Sequence, residues 1–175
     1  RGWRVGSLFG IDIYLDTSLI IIFGLVVYIL GTSVFPDWHP DWEASTRWLV
    51  ALAAGVSFFA SLLAHELAHS LMSRRFGIEV RRITLFLFGG MAEMEDEPRE
   101  PRAEFMVAIV GPATSLALGL LFSLIGTSMA GAGFAELLQE DRKAALAGLS
   151  PLATLLLWLG PVNTVFGIFN LVPGF

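Results

Sequence analysis

Four apolar stretches alternate with shorter polar ones along the chain. The first, "TSLIIIFGLVVYILGTSVF", runs from Thr17 to Phe35 without a charge. It has about the 20 residues that a helix needs to cross a bilayer. The second runs from Trp48 to Met72 and ends at Arg74 and Arg75. The third runs from Phe105 to Met129 and contains "GPATS" at 111–115. The fourth runs from near Leu152 to Val172 and contains "GPVN" at 160–163. Small residues crowd the second stretch (Ala53, Ala54, Gly55, Ser57, Ala60, Ser61, Ala64, Ala68). That predicts a helix central to a bundle, where close approach matters. Two further segments alternate or are β-branched. "VGSLFGIDIYLD" (5–16) predicts one short strand leading to the membrane. "VRRITLFLF" (80–88) is too short to span as a helix and predicts a strand, ended by Gly89 and Gly90 and followed by a second strand or edge over "MAEME" (91–95). The loop 36–47 is rich in tryptophan and proline, as suits the water interface. The loop 131–149 predicts a short amphipathic helix. The expected fold is mainly α: a polytopic transmembrane helix bundle of about four spans with a small membrane-associated β-sheet, forming a single membrane-embedded domain over 1–175.

Composition agrees. The chain is 55% hydrophobic and 15% charged, whereas soluble domains are nearer 45–50% and about 25%. Lipid is the natural solvent for such a chain, and the lipid bilayer its first partner. There are no cysteines, which excludes disulfides and thiolate metal sites. A net charge of -5 leaves no footprint for nucleic acid. Arg1 and Arg4 precede the first span, and Arg74, Arg75, Arg81, Arg82, Arg99 and Arg102 lie between the second and third. With four spans both groups fall on one side, which predicts a cytoplasmic N-terminus. The start at Arg1 and the stop at Phe175 read as those of a fragment, and the N-terminus has no signal-peptide layout.

One feature breaks the apolar pattern. "HELAH" places His65, Glu66 and His69 inside the second span. Residues four apart share a helix face, so the two imidazoles can meet one metal ion. Two imidazoles plus an oxygen ligand suit zinc, with a fourth position open for water. Glu66 lies on the same side and can serve as general base in peptide-bond hydrolysis. Ionisable groups inside a membrane are costly and default to function. His39, in the tryptophan-rich loop, reads instead as a solvated interface residue.

On these residues the chain resembles the site-2 protease family of intramembrane zinc metalloproteases. His65-Glu66-x-x-His69 matches the family's first motif, "FGG" (88–90) its strand region and "GPATS" its glycine-proline element. "NLVPGF" (170–175) matches the start of its second motif, Asn-x-x-Pro followed by Leu-Asp-Gly. The likeness covers the chain from "GSLFGI" (6–11) onward, and the Gly-rich entry and four-span layout are similar to those of compact bacterial and archaeal members. It implies one Zn2+ per chain held by His65 and His69, with an Asp beyond Phe175 as third ligand. It implies Glu66 as the catalytic residue and a transmembrane protein as substrate. It also implies a multi-pass protein of a prokaryotic cell membrane with the active site towards the cytoplasm, and leaves room for a CBS or other regulatory domain after 175. Asn170 is expected to hold substrate backbone near the zinc, while Asn163, seven residues earlier, reads as structural. A substrate helix must unwind before cleavage, and its freed backbone groups need partners. Residues 84–94, with Gly89 and Gly90, are expected to offer them a strand edge. The rival readings are a membrane metal-binding or transport protein without catalysis, and an inactive scaffold that only binds transmembrane helices. The first span lacks the polar groups that a transport path needs, and an intact Glu66 speaks against the scaffold.

Overall fold

The computed structural model describes residues 2–86, 89–94 and 100–172, with the backbone alone for 89 and 91–94. Among the described residues, four helical segments are long and apolar enough to cross a membrane: Thr17–Trp38, Ala44–Arg75, Pro101–Ala130 and Pro151–Phe169. The first comprises α1 (Thr17–Ile29), a π-helical turn (Leu30–Val34) and α2 (Phe35–Trp38). Asp16 starts it by accepting the backbone N–H of Ser18 at 2.9 Å, satisfying one of the orphan donors of a helix start. α3 (Ala44–Arg75) is the longest helix, at 32 residues. α4 (Pro101–Ala130) and α7 (Pro151–Phe169) complete the bundle. Between them lie two short helices, α5 (Phe134–Glu140) and α6 (Arg142–Ala147), where the sequence predicted one.

α4 and α7 pack through small residues. A Cβ at Gly119 would stand 2.9 Å from the Gly160 carbonyl, and one at Gly160 would stand 3.1 Å from the Gly119 carbonyl. Such contacts replace the hydrophobic drive that helices lack in lipid.

Among the described residues the sheet has four strands in the order β1-β2-β3-β4. β1 (Gly2–Leu8) and β2 (Ile11–Asp16) are antiparallel, β2 and β3 (Val80–Phe86) are parallel, and β3 and β4 (Gly89–Met94) are antiparallel. The single strand expected over 5–16 is thus corrected to a hairpin. Its two-residue turn is Phe9-Gly10, and both residues have positive φ, at 52° and 73°. That is the backbone of a primed hairpin turn, which normally selects Asn or Gly; phenylalanine in the first position hides it from the sequence. The inner face of the sheet (Ile11, Ile13, Val80, Ile83 and Leu85) packs with Leu19 and Leu62 from the helices in one buried cluster. β3 lies between β2 and β4, with Thr84 and Leu85 paired on both sides, so within 84–94 the free edge among the described residues belongs to β4; β1 is the opposite edge of the sheet. The predicted strand positions 87, 88 and 95 and the motif positions 173–175 fall outside the described residues.

Arg74 fastens the sheet to α3. Its guanidinium donates to the carbonyls of Phe9 at 2.6 Å, Gly10 at 3.1 Å and Val80 at 2.5 Å. The far end of the bundle holds another correction. His39 is 2% exposed. Its Nε2 meets Thr154 Oγ1 of α7 at 2.8 Å, and its ring stacks on Trp42 with centroids 3.8 Å apart. The loop folds back onto α7, so the histidine is interior and not solvated.

Candidate metal centre

α3 presents His65 and His69 one helical turn apart. His65 is 1% exposed and Glu66 8%. The two Nε2 atoms stand 3.0 Å apart. What turns them together is α4. Val107, Gly111 and Ser115 lie at four-residue intervals, the spacing of one ridge on a helix surface, and all three meet the histidines. Nδ1 of His69 lies 2.6 Å from the Val107 carbonyl oxygen. Nδ1 of His65 lies 2.8 Å from Ser115 Oγ. Gly111 faces the His69 imidazole so closely that any Cβ there would overlap the ring. Pro112 follows, inside the helix; it supplies no N–H and weakens the backbone ladder in the turn before it. Phe166 of α7 closes over the His65 ring, with centroids 5.0 Å apart.

These contacts decide the chemistry of one ring. A carbonyl only accepts, so His69 Nδ1 carries the proton and donates it to Val107. Its Nε2 is then a bare lone pair. That lone pair points at His65 Nε2, in a buried place. One cation at the zinc–imidazole bond length of about 2.0–2.1 Å could touch both nitrogens. The donor set therefore fits two corners of a zinc site. Among the described residues no group of three or more His, Cys, Asp or Glu side chains gathers, so a third protein ligand is not found there.

Glu66 reaches towards the sheet. Its Oε1 accepts the backbone N–H of Gly90 in β4 at 3.2 Å. A Cβ at Gly90 would overlap the Glu66 carboxylate. Gly89 pairs with Phe86 in the β3–β4 ladder. The edge strand thus rests on Glu66, and the three residues of the sequence motif share one enclosure with that edge. Asn170 ends α7, where its Nδ2 donates to the Phe166 carbonyl at 2.8 Å. Asn163 is buried and donates to the Leu159 carbonyl at 2.9 Å. Both bond their own helix. Sequence reasoning missed Val107, Gly111 and Ser115 as partners of the histidines. The four-residue spacing of Gly111 and Ser115 was a usable signal; a backbone carbonyl such as that of Val107 leaves none.

The chain matches peptidase family M50 over residues 53–175. A Synechocystis sp. protein, named by inference a zinc metalloprotease, is 40% identical over 171 residues, covering 98% of this chain and 40% of its own length. Rip3 of Mycobacterium tuberculosis, named in the same way, is 35% identical over 170 residues, covering 97% of this chain and 39% of its own length. The chain spans about two fifths of the length of these relatives. The solved structure of a site-2 protease from Methanocaldococcus jannaschii superposes with a TM-score of 0.62 at 24% identity, covering all of this chain and 66% of that one; at that identity it bears on the fold. With four membrane-length helices, a matched fold and a family match over most of its length, the chain belongs to peptidase family M50, the site-2 protease family.

Proposed function

We propose that the chain is the core of an intramembrane zinc metalloprotease, which hydrolyses peptide bonds in or near transmembrane segments of other membrane proteins. The observation that carries this reading is the pair of Nε2 atoms at 3.0 Å with Glu66 beside them. His65 and His69 would hold one zinc, with an Asp beyond Phe175 completing its protein ligands. When bound, the ion supplies a Lewis acid that polarises the scissile carbonyl and acidifies a neighbouring water. Glu66 takes a proton from that water and returns it to the leaving amine. Burial of Glu66 keeps other water away from the reacting atoms. The Gly90 N–H holds its carboxylate in place.

The edge of β4 is the substrate dock in this reading. An unwound segment added to that edge runs past Glu66, and its backbone groups pair with those of residues 89–94. Gly89 and Gly90 leave room for the approach. Asn170 stands at the end of α7 as a further backbone contact. In this reading Glu66 stands towards the cytoplasmic face of a prokaryotic cell membrane, with the N-terminus on the same side; the arginines before the first span and between the second and third support that orientation. The reading leaves room for a CBS or other regulatory domain after 175.

The test is Glu66→Gln in the intact protein, assayed on a model transmembrane substrate. Zinc content should stay at the wild-type level while cleavage falls by at least about 10³-fold, the scale expected for loss of general-base catalysis with part of the electrostatic contribution. Cleavage at the wild-type rate would remove Glu66 from the mechanism.

A further inference from the structure

The two histidines differ in what holds them. His69 is fixed by a carbonyl, which can only accept, so its neutral ring has the same tautomer with and without metal. His65 is held by a hydroxyl, and Ser115 Oγ can both donate and accept. Ser115 is fully buried, and His65 is the partner its hydroxyl finds, at 2.8 Å. This asymmetry has a consequence at the 3.0 Å contact between the rings. Two bare lone pairs at that distance repel unless a cation sits between them. Without a metal, the contact is satisfied only if His65 carries its proton on Nε2 and donates it to His69. His65 Nδ1 is then bare and needs a donor, which Ser115 supplies. With a metal, both Nε2 atoms must be bare. The His65 proton then sits on Nδ1 and needs an acceptor, and the same hydroxyl supplies that after rotating. His65 stays neutral in both states, so its net charge does not change.

We propose that Ser115 is a positioning residue for His65, whose hydroxyl reverses from donor to acceptor as the site fills with metal. The inference rests on the reading of His65 and His69 as zinc ligands. It explains why the site can be buried and satisfied both with and without the ion, whereas a second backbone carbonyl in place of Ser115 would leave the metal-free pair in repulsion. Partners of this kind typically set metal affinity by 10–100-fold.

The experiment is a zinc competition titration against a chelator on the intact, detergent-solubilised protein, for the wild type, Ser115→Ala and Ser115→Cys. Thermal unfolding of each metal-free form is measured in parallel. Ser115→Ala strips a partner from both states, but metal coordination makes the His65 N–H the stronger, charge-assisted donor, so zinc should bind about 10–100-fold more weakly. Ser115→Cys keeps the shape with a poorer donor and acceptor, and should fall between. A purely structural serine would leave zinc affinity unmoved or lower it only together with the metal-free melting temperature. Zinc affinity in both variants within about threefold of wild type would overturn the inference, against the effect usual for such partners. A wild type that binds no zinc would overturn the metal reading itself, which separates the two failures. The direct check is ¹⁵N NMR of the His65 ring in the wild type, with the proton on Nε2 before zinc and on Nδ1 after. One tautomer in both states would also overturn the reversal.

Discussion

Where the loop after α2 meets α7, His39 is 2% exposed, bonded to the hydroxyl of Thr154 at 2.8 Å and stacked on Trp42. On α3, His65 is 1% exposed and meets the hydroxyl of Ser115, also at 2.8 Å. Burial, residue type and hydroxyl partner are the same at both places. The difference is the second ring. His69 stands one turn away on the same helix face with its Nδ1 committed to a carbonyl, so a bare Nε2 faces His65 at 3.0 Å. His39 has an aromatic face as its neighbour instead. A buried histidine with a hydroxyl is thus a structural tie. Two of them converging, with one tautomer imposed, make a place for a cation.

The contrast can be broken from either side. The largest effect is expected from Gly111→Val, because any Cβ there overlaps the His69 ring. The ring must leave its position, and zinc affinity should fall by about 100-fold, the upper end of the usual range for disturbed ligand orientation, as read by chelator competition. Next comes His39→Ala, which loses a buried hydrogen bond, the stack on Trp42 and packing volume. It should cost about 2 kcal/mol of stability while leaving zinc content unchanged. Loss of zinc with His39 would erase the distinction between the two ends. Arg74→Gln removes a charged donor from three carbonyls and should cost about 1–2 kcal/mol. Because Arg74 fastens the sheet whose edge rests on Glu66, limited proteolysis should then cut first within β1–β2.

The smallest effect is on pH dependence. Burial pushes the His39 imidazole below its ordinary value of 6.5. The unfolded chain therefore takes up a proton at a higher pH than the folded one. Its contribution to stability is complete above about 6.5 and is lost as the pH falls from there through the lowered folded value. The melting temperature should drop on acidification from pH 7 to 5, and less steeply in His39→Gln than in the wild type.

Much of this was legible in the chain. The four spans follow from uninterrupted apolar length, and His65, Glu66 and His69 stand out because charge is costly there. The features that were not legible share a physical cause. Phe9 occupies a left-handed turn position that its residue type disfavours, so the hairpin carries no local signal. His39 sits in a polar, tryptophan-rich loop, and only the return of that loop onto α7 buries it. The residues that orient His65 and His69 come from α4, 38 to 50 positions away, and one acts through its backbone. Pairing between distant helices is set by packing, which no periodicity within one helix reveals.

The convergent pair should bind zinc, and the solitary histidine should not. Metal analysis of the purified intact protein tests this directly, for the wild type, His65→Ala, His69→Ala and His39→Ala. About one zinc per chain in the wild type and in His39→Ala, with little in either of the other two, is the predicted result for a site built on two imidazoles. Zinc retained at the wild-type level in both His65→Ala and His69→Ala would remove the pair as the metal ligands.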